Sequence, residues 1–137
     1  MNKKILSLFA LGIILRILLI WRAPLWYDEN FTLVLSRLPF DQMIAATAGD
    51  VHPPLSYILF WLVGQTGAPA WGLRIVSLGF SAAALWLFHH ILGDEYKYKP
   101  VAFALMALSP FQLWFAQEAR MYAMLEFFFL LGVYAVI

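Results

Sequence analysis

Along the chain, apolar residues come in long unbroken runs, separated by short stretches where proline, glycine and charge collect. The first run, Ile5 to Trp21, follows Lys3 and Lys4 and is long enough to cross a ~30 Å hydrocarbon core. Its basic flank predicts a cytoplasmic N-terminus. The only charge within it, Arg16, is read as snorkelling to the outer interface, with the holding of an anionic lipid head as the alternative. From Arg22 to Arg74, Pro24, Pro39, Gly49, Pro53, Pro54, Gly64, Gly67 and Pro69 cut the chain into pieces too short to span. Two surface-lying helices are predicted here, Glu29 to Arg37 with Asp28 as N-cap and Gln42 to Ala48 capped by Asp41. A third piece starts at His52-Pro53-Pro54, where prolines fit the first helical turn.

The segment Leu55 to Val63 decides the topology. If it crosses, the loop Gly93 to Lys99 falls outside; if it lies on the surface, that loop falls inside. Lys97 and Lys99 favour the inside, so the segment is taken as interfacial. The remaining spans are then about 75–92, 101–116 and 121–137, with an extracytoplasmic loop over about 22–74. Gly79, Ala82 and Ala83 supply small residues for close helix contact in the second span. His89 and His90 are interfacial, and Pro110 kinks the third span.

Composition sharpens this into a class. The 137 residues are 64% hydrophobic and 12% charged, against about half and a quarter in ordinary globular domains. An all-α integral membrane protein is expected, in the plasma or inner membrane. A net charge of +1 gives no reason to expect nucleic acid, and the absence of cysteine excludes thiolate chemistry and disulfides. No glycine-rich phosphate loop, His-x-x-x-His pair or nucleophile elbow occurs.

On the expected topology Asp28, Glu29, His52, Arg74, Glu118, Arg120 and Glu126 all reach the outer face. Lipid solvation alone does not demand such a gathering. Glu126 lies inside an apolar run, where an ionisable residue is a functional-site hypothesis; pairing with a neighbouring helix is the alternative. Carboxylates beside arginines suit acid–base work on a substrate with a phosphate leaving group.

Asp28-Glu29 after the first span, His52-Pro53-Pro54-Leu55-Ser56-Tyr57, and Gln117-Glu118-Ala119-Arg120-Met121-Tyr122-Ala123 together resemble the N-terminal part of membrane glycosyltransferases of the GT-C fold. The nearest branch is the bacterial dolichyl-phosphate-mannose-protein mannosyltransferase-like proteins, which also resemble the aminoarabinose transferases. The resemblance implies transfer of a sugar from a polyprenyl-phosphate donor to a protein or glycolipid acceptor on the extracytoplasmic side. It implies that Asp28 is the acceptor-activating base with Glu29 beside it, that Glu126 is a second acidic residue, and that His52, Arg74, Glu118, Arg120 and Tyr122 serve the carrier phosphate and substrate. A divalent cation is left open. Family members are several hundred residues long, so the resemblance further implies that this chain is an N-terminal module, inactive alone. The competing expectation is a non-enzymatic membrane assembly or lipid-binding subunit whose charges pair helices.

Overall fold

A computed structural model of the chain describes residues 2–21, 24–50 and 52–137. Arg22 and Ala23, where the first long loop was expected to begin, lie outside the described residues. Those described are helical or irregular, with no strand among them.

Helix α1 (Lys3–Leu19) opens with Asn2, whose side chain accepts from the Ile5 amide at 2.9 Å. Helix α2 (Tyr27–Arg37) starts two residues before the expected Glu29, so Asp28 lies in its first turn and Trp26 takes the N-cap position. The side chain of Glu29 reaches back to the Trp26 amide at 3.5 Å, supplying from inside the helix what Asp28 was expected to supply from its end. Helix α3 (Phe40–Thr47) likewise begins before Asp41, which sits in the first turn as a favourable charge for the helix dipole and is not the cap. Helix α4 (Pro54–Gln65) carries its proline at the start, where no backbone bond is lost.

A short 3-10 turn, Ala70–Leu73, leads into α5 (Arg74–Ile91). Together, Ala70 to Ile91 are long and apolar enough to cross a membrane, and no other helix among the described residues meets both conditions. The expected span 101–116 is two helices, α6 (Lys99–Leu108) and α7 (Pro110–Phe115), parted at Ser109. Pro110 has no N–H to offer the α6 ladder, so the helix ends there rather than bending. Helix α8 (Tyr122–Val136) follows a polar turn.

Contacts fix the helix directions. Phe9 stacks on Phe103, and Ile5 packs with Leu85, Phe103 and Ala107, so α1 and α6 run one way and α5 the other. The Ser77 hydroxyl meets the 118–120 turn and Phe80 meets Phe127, so α8 runs with α5. Asn2 and the 94–100 loop share one end of this bundle. The opposite end holds the 117–120 turn and the cap formed by α2, α3 and α4. Leu35, Met43 and Tyr57 form the core of that cap, and α2 meets α4 so closely at Gly64 that an added Cβ would stand 2.4 Å from the Ser36 carbonyl oxygen. Twelve residues long, α4 covers only about 18 Å and lies against α2.

Two residues depart from expectation. Arg16 is fully buried and does not snorkel. Its Nε donates to Ser81 Oγ at 2.9 Å, and its Nη1 donates to the carbonyls of Gly12 at 3.0 Å and Ala107 at 2.8 Å. The α6–α7 break frees carbonyls at the end of α6, and the guanidinium satisfies one of them. Gly79 borders an open apolar groove with Leu59, Leu62, Phe80 and Phe127 and makes no close helix contact. The buried residues of α5 are Arg74, Ser77, Ser81, Ala84, Leu85, Leu87 and His89, polar toward the cap and mostly apolar beyond.

Candidate active site

Of the two adjacent acids in α2, Glu29 is the one sealed in. Only 1% exposed, it accepts from Arg74 Nε and Nη2 at 2.7 Å each, from the Ala119 amide at 2.8 Å, and from the Trp26 amide. Arg74 also donates to the Ile20 carbonyl at 2.7 Å and to the Pro24 carbonyl at 3.4 Å. A forked guanidinium matched to both carboxylate oxygens is the strongest form of this contact. It ties α2, α5, the end of α1 and the 117–120 turn into one knot. Glu29, expected beside the catalytic base, and Arg74, expected near the carrier phosphate, are thus bound to each other in a buried pair.

Asp28, one residue back and about 100° around the helix, keeps 32% of its side chain exposed and faces Arg120, with Oδ2 3.6 Å from Nη2. From there a line of polar groups leads across the cap. Arg120 Nη1 reaches the Tyr57 hydroxyl at 3.5 Å, and that hydroxyl donates to Asp50 Oδ2 at 2.5 Å. Both Asp50 oxygens lie within 3.2 Å of His52 Nδ1. Burial, reinforced by the bond to Asp50, pushes the Tyr57 phenol up to about 12. Arg120 is itself 94% buried by virtue of a 6% exposure, its two contacts are long, and its Nε has no partner. A guanidinium held this loosely retains donors for an incoming oxyanion.

Glu118 stands on the other side of the knot. The Trp114 indole N–H donates to its Oε1, while Oε2 is buried without a partner. The Ser77 hydroxyl donates to its backbone carbonyl, with the Arg120 carbonyl at 3.2 Å. Burial raises the Glu118 pKa above the ordinary glutamate value; the Trp114 hydrogen bond and Arg120 oppose the shift, and the charges of Glu29 and Asp28 add to it. A cavity of about 100 Å³ opens beside it, lined among others by Trp26, Trp114, Gln117 and Glu118.

The structure therefore brings Asp28, His52, Glu118 and Arg120 to one end of the bundle around the Glu29–Arg74 knot. It does not bring Glu126 to that group. Glu126, inside α8, faces Gln112 and lies within electrostatic reach of Arg16, deeper in the bundle. Tyr122 packs its ring on Phe115 at 4.7 Å. Among the described residues no three acidic, histidine or cysteine side chains converge as a metal-binding group.

Four residues of the site were not singled out from the sequence. Tyr57 and Gln117 sit inside the quoted motifs, and a functional weight on their polar side chains was there to be read. Asp50 follows a glycine in what looks like an ordinary turn, and Ser77 is hidden in an apolar run. Comparison of the chain with protein-family models, curated proteins and solved structures found no match.

Proposed function

We propose that this chain is the N-terminal module of a membrane glycosyltransferase that moves a sugar from a polyprenyl-phosphate donor to an acceptor on the extracytoplasmic face. The observation that carries this reading is the pairing of a half-exposed carboxylate, Asp28, with a buried and under-coordinated guanidinium, Arg120. Carboxylate and guanidinium face the same end of the bundle, and these are the two kinds of group that displacement at a glycosyl phosphate uses, a base and an anion receptor. In that step an acceptor oxygen attacks the anomeric carbon, the carbon–oxygen bond to phosphate breaks, Asp28 takes the acceptor proton, and the polyprenyl phosphate leaves with its bonding electrons. Arg120 stabilises the charge that develops on the departing phosphate.

Membrane residence is supported by the large apolar side chains left exposed on the flanks of a bundle whose interior is partly polar. Arg16, Ser77, Ser81 and Arg74 are inside, while Leu6, Ile14, Leu18, Leu105, Leu125 and Phe129 are exposed on its flanks. A lipid solvent leaves exactly such apolar surface uncovered without cost, whereas water does not.

The test is Asp28→Asn in the complete transferase, assayed with a radiolabelled polyprenyl-phosphate sugar in membranes. Transfer should fall at least about a hundredfold, in line with loss of a general base, with protein abundance unchanged. Near-normal transfer removes Asp28 as the base. The assembly-subunit reading draws on the Glu29–Arg74 pair, an interhelical tie of the kind it requires; it gains ground if Asp28→Asn lowers abundance instead of activity.

A further inference from the structure

The cavity beside Glu118 contains two features that its role in the fold does not explain. Glu118 Oε2 and Gln117 Nε2 are both buried and both without a hydrogen-bond partner, and both residues line it. Buried polar atoms in that condition are rare and costly. At about 100 Å³ the cavity exceeds the space one water needs. Its remaining walls include the indoles of Trp26 and Trp114, flat apolar surfaces with polar edges.

We propose that this cavity is a subsite for a neutral hydroxylated ring, with the Glu118 carboxyl and the Gln117 amide hydrogen-bonding its hydroxyls and Trp26 and Trp114 packing against its C–H face. An anion is disfavoured here: Arg74, the cation in the wall, already holds Glu29, and the other charged group lining the cavity is a carboxyl. A polar ring supplies both the missing acceptor for the amide and the missing partner for Oε2. The assignment to the transferred sugar rests on the transferase reading; the polyol subsite itself does not.

The experiment is an NMR titration of the 15N-labelled chain in lipid nanodiscs, following the Trp114 indole N–H, which reports directly on Glu118 through their hydrogen bond. The probes are methyl glycosides of several hexoses and, separately, inorganic phosphate. Saturable shifts with at least one methyl glycoside and none with phosphate are expected. Glu118→Leu should weaken that binding about tenfold or more and Gln117→Ala by a similar factor, the loss that goes with a buried hydrogen bond. Glu118→Gln, which keeps a donor and an acceptor, should retain it, and this rescue separates a contact from a fold defect. Three outcomes overturn the subsite: no response to any glycoside, which leaves a cavity holding water alone; a response to phosphate only; or undiminished binding in Glu118→Leu. Glycoside binding in a protein whose Asp28→Asn form transfers normally keeps the subsite and removes the assigned base. Transfer that depends on Asp28, with no glycoside binding at Trp114, does the reverse.

Discussion

Arg74 grips both carboxylate oxygens of Glu29 at 2.7 Å, although the two residues lie 45 positions apart. Removing either partner strands a charge in a site that is at most 3% exposed. Glu29→Ala or Arg74→Ala should therefore destabilise the protein by about 3–5 kcal/mol, the range for breaking a buried pair. Asp28→Asn, on a partly exposed group with one long ionic contact, should cost less than about 1 kcal/mol. Thermal unfolding in one detergent, followed by circular dichroism, checks the contrast; equal losses at positions 28 and 29 would refute it.

Two glycines offer a second contrast. Gly64→Ala drives a methyl group into the Ser36 backbone of α2, which cannot swing aside as a long side chain can. A loss of about 1–3 kcal/mol is expected from such overpacking. Gly79→Ala meets nothing within 4 Å and should stabilise α5 by up to about 1 kcal/mol through helix propensity. Melting temperatures moving in opposite directions are the expected result.

Glu118 links stability to pH. Its pKa is raised in the fold, chiefly by burial, so above its unfolded value the folded chain binds more protons than the unfolded one. Stability from this group is then complete at low pH and declines as pH rises from about 4, the unfolded range for glutamate, through the higher folded value. Glu118→Gln has no such proton to lose. Its melting temperature should track wild type in acid and gain on it as pH increases; a constant offset across that range would dispose of the linkage.

Arg16 places a planar fork among three acceptors on α1, α5 and α6. Lysine keeps the charge but cannot reproduce that geometry, so Arg16→Lys should destabilise the protein nearly as much as Arg16→Met, by about 2 kcal/mol or more. Ser81→Ala should cost about 1 kcal/mol. Denaturant titration of the three variants orders them, and a Lys variant as stable as wild type would show that charge alone matters there.

Much of the helical layout follows from local signals. The prolines at 53 and 54 open α4, Pro110 ends α6, and long, largely apolar runs fill α1, α5 and α8. The gathering of Asp28, Glu118 and Arg120 at one end is also visible from topology, because each follows or precedes a long run by a few residues. What could not be read is helix phase. Asp28 and Glu29 are neighbours of one type, and only the direction of α2 against Arg74 decides which is sealed. Arg16 finds its acceptor 91 positions away at a helix break, so its burial has no local signature. Ser77 and Ser81 look like incidental members of an apolar span until α5 is seen to present them inward.

The clamp on Glu29 also acts on its neighbour. A helix whose one side chain is pinned at four points cannot roll about its axis, and Asp28 projects from that shaft at a set angle. The carboxylate behaves as a pointer on a locked spindle. A ligand that drew Asp28 toward itself would have to turn the whole of α2 against Arg74, Ala119 and the Gly64 contact, so the ligand must come to the acid.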